Sequence, residues 1–271
     1  MTIKSSGALA MADIALEAGL PNSNVNLNNT EIRSLAVKVT VGSTIKYSDL
    51  YGKEKFSFTN GDFSIGPMTT DGTTYDLPGW TIYRSQIKLS GLGTISGWPT
   101  PTDATSPLTW GGSGGGNING DNYPPSASFT YTATLESTNL PTGIAAPSQV
   151  VHMVSTGSTT GYGIIHGPYL VTKSGVHLKP GDQVKFWWKA AGGSDAYDVF
   201  AYLLNITTGA TIELLNATGT GTTATPWAQV SATIAIDGSY KFVFVSGTFD
   251  YSGGGALGAS LYVSYVEIIK V

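Results

Sequence analysis

From Phe56 to the C-terminus, Gly and Pro recur at short intervals, and the runs between them are rich in Val, Ile, Tyr, Phe, Trp and Thr. No other feature of the chain limits its fold as much. β-Branched and aromatic residues suit the pleated, half-buried surface of a sheet, whereas Gly and Pro break helices and supply the turns that end short strands. Composition agrees: 35 glycines and 12% charged residues leave few of the Glu, Lys and Arg that helices place on exposed faces. A mainly β protein follows, and 41% hydrophobic residues in 271 are enough to bury a genuine core.

Candidate strands are Thr81–Leu89, Ser128–Leu135, Gln149–Ser155, Val184–Ala190, Val199–Asn205, Thr211–Leu215, Gln229–Ile236, Tyr240–Ser246 and Ala259–Ile269. Their number fits an antiparallel two-sheet sandwich over residues 54–271. Thr207-Thr208-Gly209 joins two apolar runs, and Asp237-Gly238 is a favoured pair for a two-residue turn, so consecutive strands are expected to pair. The run from Gly111 to Gly120 has almost no side chain to bury and reads as a loop within one domain.

Residues 1–53 stand apart, because only here does the pattern allow short helices. Ala12–Ala18 is made of good helix formers with acids early, stopped by Gly19 and Pro21. A second short helix is expected at Asn29–Ala36, capped by Asn29 or Thr30, and a third turn at Ser48–Tyr51. Leu9–Ile14 aligns with Ile45–Leu50 as a weak internal repeat, in which alternating apolar residues lead into a capped turn. So short a segment makes a poor core of its own and is expected to need a partner surface.

Several functions are disfavoured. A net charge of -4 without a Lys/Arg cluster lacks the electrostatic footprint of a nucleic-acid binder. With no cysteine, disulfides, thiolate zinc sites and cysteine nucleophiles are excluded. The N-terminus has no continuous apolar stretch of the signal-peptide kind, so cytoplasmic synthesis is expected. No apolar run reaches the roughly 18 residues of a membrane-spanning helix. His152, His166 and His177 each stand without a second His or a carboxylate at metal-ligand spacing, which argues against catalytic zinc. His166, in Ile165-His166-Gly167-Pro168-Tyr169, reads as lining a turn. Asp195, Asp198 and Asp250 are the acids to weigh for glycoside hydrolysis, which needs two carboxylates at fixed separation, or for a calcium ion. Their context suits turn formation better, because Asp bonds its own neighbouring backbone.

Aromatic residues offer a sharper hypothesis, since exposed Trp and Tyr faces with a few polar neighbours suit pyranose rings. Trp98, Trp110 and Tyr123 flank the glycine-rich loop and are the first-choice ligand contacts. Trp187 and Trp188 are the second-choice ligand contacts; adjacent in a strand, they must point to opposite faces, one core and one outward. Trp80 and Trp227 follow turn residues and read as plugs at a sandwich edge.

Two resemblances can be stated on these residues. Ser6–Ile14, Thr30–Ala36 and Ser43–Lys53, ending in Ser48-Asp49-Leu50-Tyr51-Gly52-Lys53, resemble a segment common in virion proteins of tailed phages, cyanophage-like and marine phages among them. The remainder resembles the galactose-binding-like jelly roll of carbohydrate-binding modules: Asn60-Gly61-Asp62-Phe63 with Leu77-Pro78-Gly79-Trp80 is similar to their opening, and Gly181–Phe186 to their central strand. Gly193–Val199, Val245–Asp250 and Gly258–Tyr262 are similar to sandwich domains of phage and bacterial surface proteins. Where such modules hold structural calcium with Glu and Asp, this chain has Ser64 and Ser264, which puts calcium there in doubt. The resemblances imply a non-enzymatic virion structural protein without cofactor, in a tail fibre, baseplate or neck. Residues 1–53 would dock on other virion proteins, the chain would self-associate, and the jelly roll would touch host cell-surface polysaccharide. A capsid decoration protein and a free carbohydrate-binding module are the alternatives.

Overall fold

A computed structural model describes residues 10, 11, 14, 26, 27, 44–46, 49, 50, 59–87, 129–159 and 163–270. The chain divides into two compact units, residues 1–57 and 58–269.

In the first unit, the Ile14 amide donates to the Ala10 carbonyl at 3.3 Å and the Asp49 amide to that of Lys46 at 3.0 Å. Asp49 returns a cap, its carboxylate accepting the Lys46 amide at 2.8 Å. Ile14 and Leu50, which hold the same place in the internal repeat, are both fully buried. Both copies therefore turn a helical corner and bury the apolar residue that ends it. The expected helix at Asn29–Ala36 and most of that at Ala12–Ala18 lie outside the described residues.

The second unit is a mainly β, antiparallel sandwich of the jelly-roll kind. One sheet runs in the order β1 (Thr69–Thr70), β2 (Thr74–Leu77), β3 (Trp80–Tyr83), β6 (Ile164–Thr172), β12 (Gly238–Phe249), β9 (Ala196–Asn205) and β10 (Thr211–Thr220), with β7 (Val176–Leu178) also paired to β12. The other runs β11 (Ala228–Thr233), β8 (Gln183–Gly192), β13 (Ala259–Ile269), β5 (Val150–Gly157) and β4 (Phe129–Glu136). Between β5 and β13 the chain passes from one sheet to the other six times, the exceptions being β6 to β7 and β9 to β10.

Aromatic side chains fill the space between the sheets. Phe186 of β8 meets Phe244 of β12 edge-on at 5.0 Å, and Trp80 lies between Phe244 and Phe63 at 6.1 and 5.3 Å. The Trp80 indole N–H donates to the Asn60 carbonyl at 2.9 Å, which satisfies its polar end inside the core. Asn60 also donates from its side chain to the Pro78 carbonyl at 3.0 Å. The two opening motifs, Asn60–Phe63 and Leu77–Trp80, are thus one packed unit. Gly79 makes its turn possible: at φ 82° it follows Pro78 as a type II turn requires.

The structure corrects three expectations. His166 is expected to line a turn within Ile165–Tyr169, yet this stretch lies in β6, a buried interior strand of its sheet. Its ladder to β12 pairs Tyr169 with Val245 and His166 with Gly247 around a bulge, so the proline, which has no amide to give, sits where the ladder asks for none. Asp237-Gly238 is not a hairpin, because β11 and β12 belong to different sheets; Asp237 instead meets His177 at 3.1 Å. Consecutive pairing holds for β1–β2–β3, β4–β5 and β9–β10 and fails elsewhere. The last of these has the expected turn, with Asn205 Oδ1 accepting the Thr207 and Thr208 amides at 3.0 Å each.

Candidate functional site on the outer face of the five-stranded sheet

Strand register assembles the site. In β13, Leu261 and Val263 point inward and are fully buried, so Tyr262 between them points outward. Tyr262 stands opposite Lys189 of β8 on one side and His152 of β5 on the other. Ala228 pairs with Trp188, which places Trp227, one residue earlier, beside Lys189. The result is a continuous row across the sheet: Trp227, Lys189, Tyr262, His152.

Close contacts hold the row together. His152 and Tyr262 stack with ring centroids 3.8 Å apart and planes 14° from parallel. The Lys189 ammonium lies 4.6 Å from the Tyr262 ring centre and 4.9 Å from that of Trp227, a geometry in which each ring face attracts the charge. The two rings are themselves edge to face at 6.5 Å. Lys189 is only 8% exposed. Burial pulls its ammonium below the ordinary lysine value, and the charge of Glu136 works against that shift.

Glu136, at the end of β4, closes the row with a 2.7 Å bond to His152 Nδ1. Burial pulls the His152 pKa below the ordinary histidine value, more strongly than Glu136 raises it. The ring is therefore neutral near pH 7, with its proton on Nδ1 facing the carboxylate. Nε2 is then an acceptor, and it finds no partner among the described residues. Tyr262 is raised above the ordinary tyrosine value, first by burial and then by Glu136, so it too is neutral.

The segment joining β4 to β5 lies against this row. Asn139 accepts the Lys189 ammonium on Oδ1 at 2.6 Å, accepts the Trp227 indole N–H on its backbone carbonyl at 3.2 Å, and donates from Nδ2 to Glu136 at 3.2 Å. Chemically, the face offers two half-exposed aromatic rings flanked by a carboxylate, an amide and an ammonium. That is a stacking platform with hydrogen-bonding edges.

Of the expected contacts, Trp98, Trp110 and Tyr123 lie outside the described residues. Trp187 shares the outer face, one row away, opposite Ser264 and Gln229. Trp188 shares the inner face, opposite fully buried Val263. The two do point opposite ways. Trp80 is a core residue, but Trp227 is no edge plug: it is half-buried on the outer face and belongs to the row. Sequence reasoning missed Tyr262, Lys189, His152 and Glu136, whose only signal was that each occupies an outward place in a strand.

Each histidine has a carboxylate partner that sequence spacing conceals: His152 with Glu136, His166 with Asp198 at 2.9 Å, and His177 with Asp237. Asp198 is therefore no turn former; it lies in β9, fully buried with His166. Asp195 and Asp250 do brace turns, accepting the Tyr251 amide at 2.7 Å and the Gly253 amide at 2.6 Å. Ser64 bonds Asp62 through both its amide and its hydroxyl, and Ser264 donates to the Gln149 carbonyl at 3.1 Å. Among the described residues, no three His, Asp or Glu side chains are grouped to hold a metal ion.

No family model matches the chain, and no curated protein sequence matches it. Solved structures with partial likeness include one from a study of promiscuous specificity in carbohydrate-binding modules of the β-sandwich superfamily (11% identity, 52% of this chain and 54% of that one, TM-score 0.31). The CBM22-1 xylan-binding domain of Paenibacillus barcinonensis Xyn10C is another (13% identity, 51% and 80%, TM-score 0.28). The enzymatically active domain of tailspike protein 4 of bacteriophage CBA120 is a third (13% identity, 52% and 19%, TM-score 0.31). This chain spans about half the length of the first. Likenesses this loose carry no argument about function.

Proposed function

We propose that the sandwich is a non-catalytic glycan-binding module whose site is the outer face of its five-stranded sheet. The row Trp227, Lys189, Tyr262 and His152 carries the reading. A sugar ring has an apolar face that stacks on an aromatic plane and equatorial hydroxyls that need donors and acceptors at its rim. Trp227 supplies the plane, Tyr262 abuts it edge to face with its own two faces covered by His152 and Lys189, and Glu136 and Lys189 supply the rim. Absence of catalysis is part of the proposal: within the row Glu136 is the one carboxylate, both its oxygens are engaged, and hydrolysis by the usual route requires a second.

The module is further proposed to belong to a phage virion structural protein, docking through residues 1–53 and displaying the sandwich to host polysaccharide. The resemblance of Ser6–Ile14, Thr30–Ala36 and Ser43–Lys53 to virion segments supports this. A free carbohydrate-binding module has the same site and no docking region. The two separate by assembly state, since a free module is a monodisperse monomer and a virion part self-associates or captures another virion protein.

Single contacts of this kind are weak, so useful affinity comes from several copies acting together. The test is a glycan array probed with artificially tetramerised protein. Tyr262→Ala is expected to lose at least ten-fold in signal while the melting transition is kept. Undiminished binding by a folded Tyr262→Ala protein would place the site elsewhere.

A further inference from the structure

The segment 137–149, between β4 and β5, crosses the same face that the row occupies. β4 and β11 are the two edges of the sheet, roughly 19 Å apart at ordinary strand spacing. Asn139 bonds groups that originate at both: Glu136 at the end of β4, and Trp227 just before β11. It also holds Lys189, on the strand next to that far edge. The segment therefore reaches across the platform as a strap, and its own Pro141 and Ser148 are buried.

Asn139 is unusual in two respects. Its φ is 66°, a left-handed conformation that only Gly and, less readily, Asn and Asp adopt without substantial strain. All three of its polar groups outside the amide nitrogen face the row, although Asn139 itself is exposed. A carboxamide presents one acceptor and one donor side by side, as a pair of neighbouring sugar hydroxyls does. Asn139 thus makes the contacts a sugar would make, to the same ammonium, indole and carboxylate.

We propose that the 137–149 strap is an autoinhibitory latch: Asn139 occupies the polar rim of the platform, and a glycan binds by displacing it and taking over its bonds to Lys189, Glu136 and Trp227. The inference rests on the glycan-binding reading. Affinity is then lowered by the fraction of molecules in which the strap is closed, and weakening the latch raises it.

The test is Asn139→Gly. Glycine accepts the left-handed φ without strain and keeps the carbonyl that bonds Trp227, but it removes the two side-chain bonds. Two measurements are made on the full chain. Without glycan, hydrogen exchange at residues 137–149 is expected to rise while β4 and β5 stay protected; unchanged exchange means that Asn139 latches nothing and overturns the proposal. On the glycan array, tetramerised Asn139→Gly is expected to bind about five- to 150-fold more tightly than wild type, the factor that corresponds to two ordinary hydrogen bonds. Equal or weaker binding shows Asn139 to be a brace for the site, which also overturns it. If the variant melts, the wild-type protein serves: an array-positive oligosaccharide must raise exchange in 137–149 if it displaces the strap, and lower exchange there contradicts displacement. If neither protein binds any glycan while exchange still rises in the variant, the glycan-binding reading has failed and the gating proposal fails with it, leaving only a mobile strap.

Discussion

His152 carries a consequence of its burial that can be measured in the absence of any ligand. Its folded pKa lies below that of an unfolded histidine, about 6.5, because burial disfavours the charged ring more than Glu136 favours it. Below pH 6.5 the unfolded chain therefore binds a proton that the folded chain resists. The stabilisation is fully present above about pH 6.5 and declines as pH falls toward the folded value, by about 1.4 kcal/mol per unit of depression. Melting His152→Gln beside wild type from pH 8 to pH 5 is expected to show wild type losing ground to the variant below pH 6.5; a gap that is constant throughout contradicts a buried neutral ring. None of this was legible at position 152 in the sequence. His152, Glu136, Lys189, Tyr262 and Trp227 are far apart along the chain, and only register brings them into one row. What could be read was the period-2 rule, which put Trp187 and Trp188 on opposite faces and was correct.

At the scale of elements, strands with an unbroken apolar or alternating pattern were legible: β13 has the expected bounds, and β4, β5, β8, β9, β10, β11 and β12 lie where the pattern put them, with shifted ends. β6 was not, because Gly167 and Pro168 interrupt it: these two residues oppose the single Ser246 of β12 as a bulge, and in sequence such a bulge looks like the end of a strand. That bulge predicts a sharp intolerance. At Gly247 of β12, a Cβ would run into the Asp198 carbonyl and the His166 ring, and backbone on a neighbouring strand cannot swing away as a flexible side chain would. Gly247→Ala is expected to destabilise the fold by about 1–3 kcal/mol, the usual range for overpacking a buried site. Chemical denaturation measures this, and a loss below about 0.5 kcal/mol would mean that β12 and β9 separate more easily than their pairing implies. The Asp237-Gly238 turn was misread for a related reason: a favoured turn pair joins whatever elements flank it, and in a jelly roll these often lie in different sheets.

At the scale of the whole molecule, a sandwich proposed to bind glycan follows an N-terminal region proposed to dock on other virion proteins. Two-sheet antiparallel architecture was legible from composition and strand number; the sheet proposed to carry the site was not, because only the register between strands brings Trp227, Lys189, Tyr262 and His152 into one row. Removing residues 1–53 is expected to leave a sandwich with unchanged β circular dichroism that no longer enters phage particles, whereas an unfolded product would show that the two parts are inseparable. The central claim, that glycan binds on the outer face of the five-stranded sheet, is tested most directly by hydroxyl-radical footprinting with and without an array-positive glycan. Ligand is predicted to protect Trp227 and Tyr262 from oxidation and to leave exposed Tyr251, in the β12–β13 connection, as reactive as before; protection confined to Tyr251, or to Trp98 and Trp110, with Trp227 and Tyr262 unchanged, would contradict it.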